Sequence, residues 1–543
     1  MRNSDPSPLM DRRTLIAIVM IGVFMMAWQH FMNQKYPPAV SATATPAETQ
    51  PVRPGTEEKV DAPVAASASG SGEMKSAESV QIRPEELLTY EDEKIRFTLS
   101  SKGMGFKEYV AKSYKNAEGN PVRLGFSPMA GLFELRLKGS GRVLDFNIIE
   151  QAPGVYRGTT QVGSTTITRT FTYSAEDSSL RSQVQVHGWS DELKDGLSIT
   201  IPEVIHSPAS SSWLFPSYDH QDFFVEFGGT KETVNFNHAK ENISREFSTA
   251  SLVSVGNQYF TLGLLDKSSL APGVHLSTNL AERSALAEVT YKPSRADDIR
   301  FEQVFYAGPK SIDVLKKIDP AMAEIIDFGY LSFIAKPLLY IMKWFHSLVG
   351  NWGFAIILLT ILVRFVVLPF NLMSARSMKA MQKIQPLMKD LREKYKDDPM
   401  TLNREMMTLM KEHKANPVGG CLPVLLQIPI FFALFRVIGS TVELYQSPFA
   451  WWIQDLSAHD AFFVLPVILG FTMFLQQKMT PTTMDPAQAK IMAFLPLVFT
   501  VFMLYLPSGL TLYMVVSALF GIIQQWYILR EAPAPVPAIA KKK

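Results

Sequence analysis

An arginine in the middle of an apolar run constrains this chain more than any other feature. Arg364 lies within residues 352–372 (WGFAIILLTILVRFVVLPFNL), a stretch long and apolar enough to cross a bilayer as one helix. At a rise of 1.5 Å per residue it sits roughly 18 Å from Trp352 and about 15 Å from Ser374, near mid-membrane. A cation at that depth costs about 2.5–3.5 kcal/mol on insertion scales. A carboxylate on a neighbouring helix is the usual relief, yet no Asp or Glu lies inside any apolar run of this chain. Arg364 is therefore expected to face water within the membrane and to meet a group that arrives.

The rest of the chain divides sharply. Residues 35–320 read as a soluble domain behind a linker, and the following third reads as membrane. With 543 residues and a net charge of +2, no general affinity for nucleic acid follows. The single cysteine, Cys421, excludes a disulfide framework and a cysteine metal cluster, and is read as a small apolar residue at a span entrance.

The apolar runs give six spans: 15–31, then about 350–372, 420–440, 462–477, 491–506 and 510–528. Arg12 and Arg13 precede the first, which reads as an uncleaved anchor (1–34) with the N-terminus inside; the rival is a signal peptide cleaved near Ala42-Thr43-Ala44, some ten residues past the apolar run. The segment 373–416 then falls inside and carries ten Lys or Arg, in keeping with the positive-inside rule. The tail 531–543 is basic and also inside. Residues 321–347 contain Lys336 and Lys343 on one helix face among aromatic residues, and read as an amphipathic helix on the outer surface. The runs 462–475 and 492–506 are short, about 14 and 15 residues against the roughly 20 a bilayer needs. Either flanking residues complete them, or they thin the membrane beside a polar cavity.

Residues 35–80 are rich in Ala, Pro, Ser, Thr and Glu without periodicity, as in a flexible linker. Across 81–320 short alternating runs recur at 94–99, 165–173, 180–186 and 287–291, the pattern of an antiparallel β-sandwich. His187, His206, His220, His238 and His275 are scattered without metal-ligand spacing, and no metal or other cofactor is expected.

Residues 374–416 form a second signal. Met378, Met381, Ile384, Met388, Leu391 and Tyr395 make one helical stripe, which Pro386 should kink. Leu402, Met406, Leu409, Met410 and His413 make another after the break at Asp397-Asp398-Pro399. An antiparallel helical hairpin follows. Its two stripes either bury each other or offer an adaptable methionine surface to partners. Lys389 and Arg392 lie among its charged residues.

Polar residues dot the spans. Thr360 is one turn before Arg364, Gln427 lies in the next span, and Ser517, Gln524 and Gln525 lie in the last. Together they suggest a polar groove with a central cation, open to the cytoplasm, that receives a polar segment part-way across the bilayer. The bilayer itself is the first partner. A secondary transporter with an anionic substrate site at Arg364 is the competing reading, but no internal repeat is visible. An enzyme needs a nucleophile, metal set or acid–base pair at membrane depth, and none is visible; nor is a phosphate-binding loop.

The motifs TILVRFVVLPF, NPVGGCLPVLLQIPIFFALF, PFAWWIQDLS, QQKMTPTTMDP, PLVFTVFMLYLPSGLTLYMVVS and IIQQ, in this order, resemble the YidC/Oxa/Alb family of membrane-protein insertases over residues 322–530. The anchor and β-domain resemble its Gram-negative bacterial form, whose periplasmic domain is a β-supersandwich. The resemblance implies a polytopic α-helical protein of the bacterial inner (cytoplasmic) membrane, with a five-helix core (348–530), both termini cytoplasmic and the β-domain periplasmic. It implies a non-enzymatic insertase and chaperone for nascent membrane proteins, acting alone or with the Sec translocon. Arg364 matches the family's groove arginine, and the spans carrying Thr360, Phe431, Leu469 and Phe502 match those that contact clients. Relatives often have two aromatic residues where this chain has Tyr513-Met514. The short tail leaves ribosome contact to the hairpin, through Met378, Met381, Met388, Met406, Met410, Lys389 and Arg392.

Overall fold

The computed structural model describes residues 84–116, 118–206, 219–292, 298–396, 398–413, 422–479 and 486–530. The expected anchor, the linker to residue 80, Cys421 and the tail 531–543 lie outside the described residues.

Alternation of apolar and polar residues builds the first half. Among the described residues, eighteen strands form antiparallel sheets of four, five and nine strands. The runs expected as strands appear as Ile95–Ser100, Thr165–Ser174, Ser179–His187 and Ser284–Tyr291. Within Thr165–Ser174, Ile167, Arg169 and Phe171 are buried while Thr166, Thr170 and Thr172 are not, as a pleat of period two requires. The long strand Asp298–Pro309 lies between Phe260–Asp266 and Ser179–His187 in the nine-stranded sheet. Its Phe301 stacks on Tyr291 of the five-stranded sheet, ring centres 4.5 Å apart, and its Phe305 stacks on Phe133 at 4.2 Å. The inner faces of the three sheets thus share one apolar core, each large side chain contributing about 1.5–3 kcal/mol on burial.

One charge lies inside that core. Arg169 is wholly buried, with Nη1 donating to the carbonyls of Phe133 at 2.8 Å, Gly103 at 3.1 Å and Met104 at 3.3 Å. Its guanidinium carbon lies 4.3 Å from the centre of the Phe171 ring. Burial pushes its basicity down to about 9, which leaves it charged at neutral pH. Chain carbonyls and ring faces here replace the carboxylate that a buried cation usually finds.

Helix α1 (Ile312–Ile318) follows the last strand, then a 3-10 turn at Pro320–Ile325 that Asp319 caps by accepting from the Ala321 amide at 2.9 Å. These cover the outer side of the nine-stranded sheet. Phe224, Leu252, Leu265 and Tyr306 join Leu315, Met322 and Ile325 in a second apolar cluster, which continues into the helices beyond. Helix α2 (Ser332–Val349) buries Ala335, Leu338, Leu339 and Met342 and exposes Phe333, Trp344 and Leu348. The amphipathic helix expected over 321–347 therefore starts later. Pro320 and the left-handed Gly329 (φ 68°) hold the preceding stretch in 3-10 turns.

Helix α3 (Trp352–Lys394) is one helix of 43 residues where the sequence suggested a span followed by a separate hairpin arm. Strong helix formers fill the junction at 373–385. The helix continues past Pro386, which is exposed so that water can satisfy the carbonyl it leaves unpaired. Asp398 then accepts from the Met400 and Thr401 amides, with Pro399 first in helix α4 (Pro399–Glu412). Helices α5 (Leu422–Ser440), α6 (Val464–Met479), α7 (Pro486–Met503) and α8 (Ser508–Arg530) complete the described fold. The last expected short run ends at Met503 rather than residue 506, since Leu506 precedes Pro507 and is steered from helical geometry.

Among the described residues two stretches are long and apolar enough to cross a bilayer, Trp352–Met381 (30 residues) and Ser508–Ile528 (21 residues). Leu426–Ser440 and Val464–Met479 are apolar but shorter. Between α5 and α6, two aspartates order the connecting loop. Asp455 accepts from the Gln446 and Ser457 amides, and Asp460 from those of Phe462 and Leu465.

Candidate functional site around Arg364

Helix α3 starts at Asn351, whose side chain accepts from the Phe354 amide at 3.2 Å. Thr360 follows, fully buried, with its hydroxyl donating to the Ile356 carbonyl of the same helix at 2.6 Å. Thr360 thus backs Arg364 without lining open space. Arg364 is half-buried. Its Nε donates to Ser517 Oγ on α8 at 2.8 Å, and its Nη2 reaches the same oxygen. Among the described residues it makes no ion pair. A guanidinium carries five N–H donors, so those not spent on Ser517 remain for a carboxylate or a chain carbonyl.

One turn before Ser517 on α8 lies Tyr513, and both are only 2% exposed. The Tyr513 hydroxyl accepts from Gln427 Nε2 of α5 at 2.8 Å. Side-chain bonds therefore tie α8 to α3 on one side and to α5 on the other. Further along, Asn371 Nδ2 donates to Gln524 Oε1 at 3.3 Å, and Lys379 Nζ to the Ile528 carbonyl at 2.5 Å. The ascending order of these partners shows α3 and α8 running parallel, side by side. Gln525 Nε2 donates to the Met479 carbonyl at the end of α6 at 3.3 Å.

Of the residues singled out in the sequence, Arg364, Ser517 and Gln427 converge through this network. Asn371 belongs with them and was missed, as was the polar role of Tyr513, named only for the aromatic pair of relatives. Their signal was position, since Tyr513 is four residues from Ser517 and Asn371 seven from Arg364 on the same helix faces. Phe431 is half-buried with Phe432 and Phe435 around it. Phe502 is half-buried beside Phe499. Leu469 is fully buried, whereas its neighbours Val467, Ile468 and Phe471 are exposed. Helices α6 and α7 approach closely at Gly470, where an added Cβ would lie 2.2 Å from Thr500 Oγ1.

In the hairpin, Ile384 and Met406 are buried, while Met378, Met381, Met388 and Met410 are half-buried. Met373, Met400 and Met407 are exposed, as are Lys389 and Arg392. Its stripes therefore meet and still leave methionine surface outside. In the β-domain the histidines have ordinary surface partners. His187 pairs with Asp298, and His275 Nε2 lies 3.0 Å from Ser244 Oγ. Among the described residues no cluster of His, Cys, Asp or Glu is placed to hold a metal ion.

Residues 344–534 match the family model described as 60Kd inner membrane protein, and residues 150–341 match that of the YidC periplasmic domain. The chain is 30% identical to the membrane protein insertase YidC of Methylobacillus flagellatus over 98% of its own length and 99% of that protein. It is 32% identical to the YidC of Pelobacter propionicus, over 96% of this chain and 99% of the relative. This chain belongs to the YidC family of membrane protein insertases. Its relatives are insertases rather than enzymes, and it is an inner-membrane protein whose β-sheets form the periplasmic domain. A solved structure, an active YidC insertase with its first transmembrane domain resolved, is 19% identical over 82% of this chain and 93% of that one, with a TM-score of 0.37.

Proposed function

We propose that this chain inserts and helps to fold integral inner-membrane proteins, alone or beside the Sec translocon, by receiving the polar end of a client at Arg364. The carrying observation is the partner of that arginine. A hydroxyl orients the guanidinium but leaves its charge uncancelled, so a client's acidic or polar tail finds a partner part-way across the bilayer and crosses at lower dehydration cost. Phe431 and Phe502 hold the client's apolar helix, while the buried Thr360 backs Arg364 and the buried Leu469 packs in the helical core. Partition of that helix into lipid supplies the driving force.

The remaining features follow from the same reading. The chain spans the membrane six times with both termini in the cytoplasm, the 16-residue helix α6 thinning the bilayer beside the polar space. The hairpin of α3 and α4 meets ribosomes and nascent chains through its exposed methionines and basic residues.

The test is insertion of a small single-span client with an acidic outer tail into liposomes that hold only this purified chain. Protease protection of the tail reports crossing. Protection in these liposomes and none in empty ones supports the insertase. Uptake of small anions without tail protection would instead support a transporter built on Arg364.

A further inference from the structure

The β-domain is gripped where it meets the helices. Lys343 on α2 places its ammonium 2.8 Å from Asp313 of α1 and 2.7 Å from Glu443, just beyond α5, with its side chain 17% exposed. Ser311 Oγ lies 3.1 Å from the same Glu443 carboxylate. A few residues on, Tyr445 donates its hydroxyl to the Lys115 carbonyl at 2.8 Å, and Gln446 Nε2 does the same at 2.8 Å. The Tyr445 ring packs among Tyr114, Tyr259 and Phe260 of the β-domain. The short stretch after α5 is therefore held from two directions by the β-domain. Helix α2, which carries Lys343, packs on both α3 and α5.

We infer that Lys343 is a positioning residue for insertion, an ionic bolt between Asp313 and Glu443 that fixes the β-domain to the outer ends of the helices carrying Arg364 and Gln427. The chemistry suits a bolt. A lysine shared by two carboxylates in a half-buried joint contributes charge-assisted bonds to both, and removing it leaves two acids facing each other. Helix α2 then transmits position. Its buried Ala335, Leu338, Leu339 and Met342 lie against the helical core while Lys343 reaches Asp313 of α1 and Glu443 beyond α5. Losing the bolt loosens the outer end of α5, whose inner part holds Gln427 against Tyr513.

The test uses the full chain with Cys421→Ser and spin labels at Glu118→Cys and Gln454→Cys, both exposed. Lys343→Gln should broaden the label-to-label distance distribution and lower client insertion about fivefold, while Lys343→Arg keeps both within about twofold of the parent. Asp313→Asn, a change at a largely exposed acid that disturbs no packing, should shift both readouts partially in the same direction. A distance distribution unchanged in Lys343→Gln overturns the bolt itself. A broadened distribution with normal insertion overturns its positioning role. The distance measurement is independent of the proposed insertase activity, on which only the insertion readout rests.

Discussion

Replacing Arg364 separates a charge mechanism from a merely structural one. A client carboxylate about 4 Å from the guanidinium, at an effective dielectric of about 20, gains about 4 kcal/mol. Arg364 is only partly buried and already bonded to Ser517 at 2.8 Å, so hydration and competition reduce the gain to about 1.5–3 kcal/mol, the range for a hydrogen bond to a charged group. At 1.4 kcal/mol per tenfold, Arg364→Ala should slow insertion of an acidic-tailed client by about 10- to 100-fold. A client with a short neutral tail should change by less than about threefold. Arg364→Lys keeps the charge but loses the two-donor grip on Ser517, so it should retain most activity; Arg364→Glu reverses the sign and should be worse than Ala. The assay is the initial rate of tail protection in liposomes holding equal amounts of each variant. Equal losses for acidic and neutral tails would refute the electrostatic argument, as would normal insertion of the acidic tail by Arg364→Glu.

Other changes probe the frame around the site. Gly470→Ala must push Thr500 aside and should destabilise the protein in detergent by about 1–3 kcal/mol, with Thr500→Ala restoring most of the loss in thermal unfolding. Asp398→Ala removes the cap of α4 and should make the hairpin cleave several-fold faster in limited proteolysis, with little effect elsewhere. Glu203 lies near the end of the strand Leu197–Val204, where burial pushes its carboxyl up to about 7. The folded state therefore holds that proton more tightly than the unfolded one. Its ionisation lowers stability progressively as pH rises from about 4.5 to 7, and the loss stays constant above that. Glu203→Gln should then stabilise the β-domain at pH 8 by on the order of 2 kcal/mol, and by almost nothing near pH 4, as read by thermal loss of strand signal. A difference independent of pH would count against this assignment.

Much of this was legible in the sequence because periodicity reports burial directly. The alternating run through Ile167, Arg169 and Phe171 announces a strand, and Ala335, Leu338, Leu339 and Met342 recur at helical steps. What the sequence left open depends on which helix stands beside which. Nothing in α3 alone says that Arg364 meets Ser517 rather than another span's hydroxyl, and nothing in α8 alone says that the Tyr513 hydroxyl meets Gln427. The boundary between span and hairpin was invisible for a different reason. A helix does not end where its surroundings turn from lipid to water, so α3 passes from apolar to basic residues unbroken. The spacing of Lys336 and Lys343 places them on one helix face, but the partners of Lys343 come from residues 30 before and 100 after it in the chain, beyond the reach of local pattern.

Three partly or wholly buried cations differ in the chemistry of their partners, and the proposed role of Arg364 rests on that difference. Arg169 is enclosed by three carbonyls and a ring face, with no route to another molecule. Lys343 stands between two carboxylates, which neutralise it and fix it in place. Arg364 alone of the three is held by a single neutral hydroxyl, and it is only partly buried. A carboxylate in place of Ser517 would make the pair cheaper to embed, but on the proposed mechanism it would also occupy the charge offered to a client's tail. The serine orients the guanidinium at Arg364 without cancelling it. The uncompensated cost of that cation is what the rest of the frame must sustain, through Tyr513, Gln427 and the parallel packing of α3 against α8.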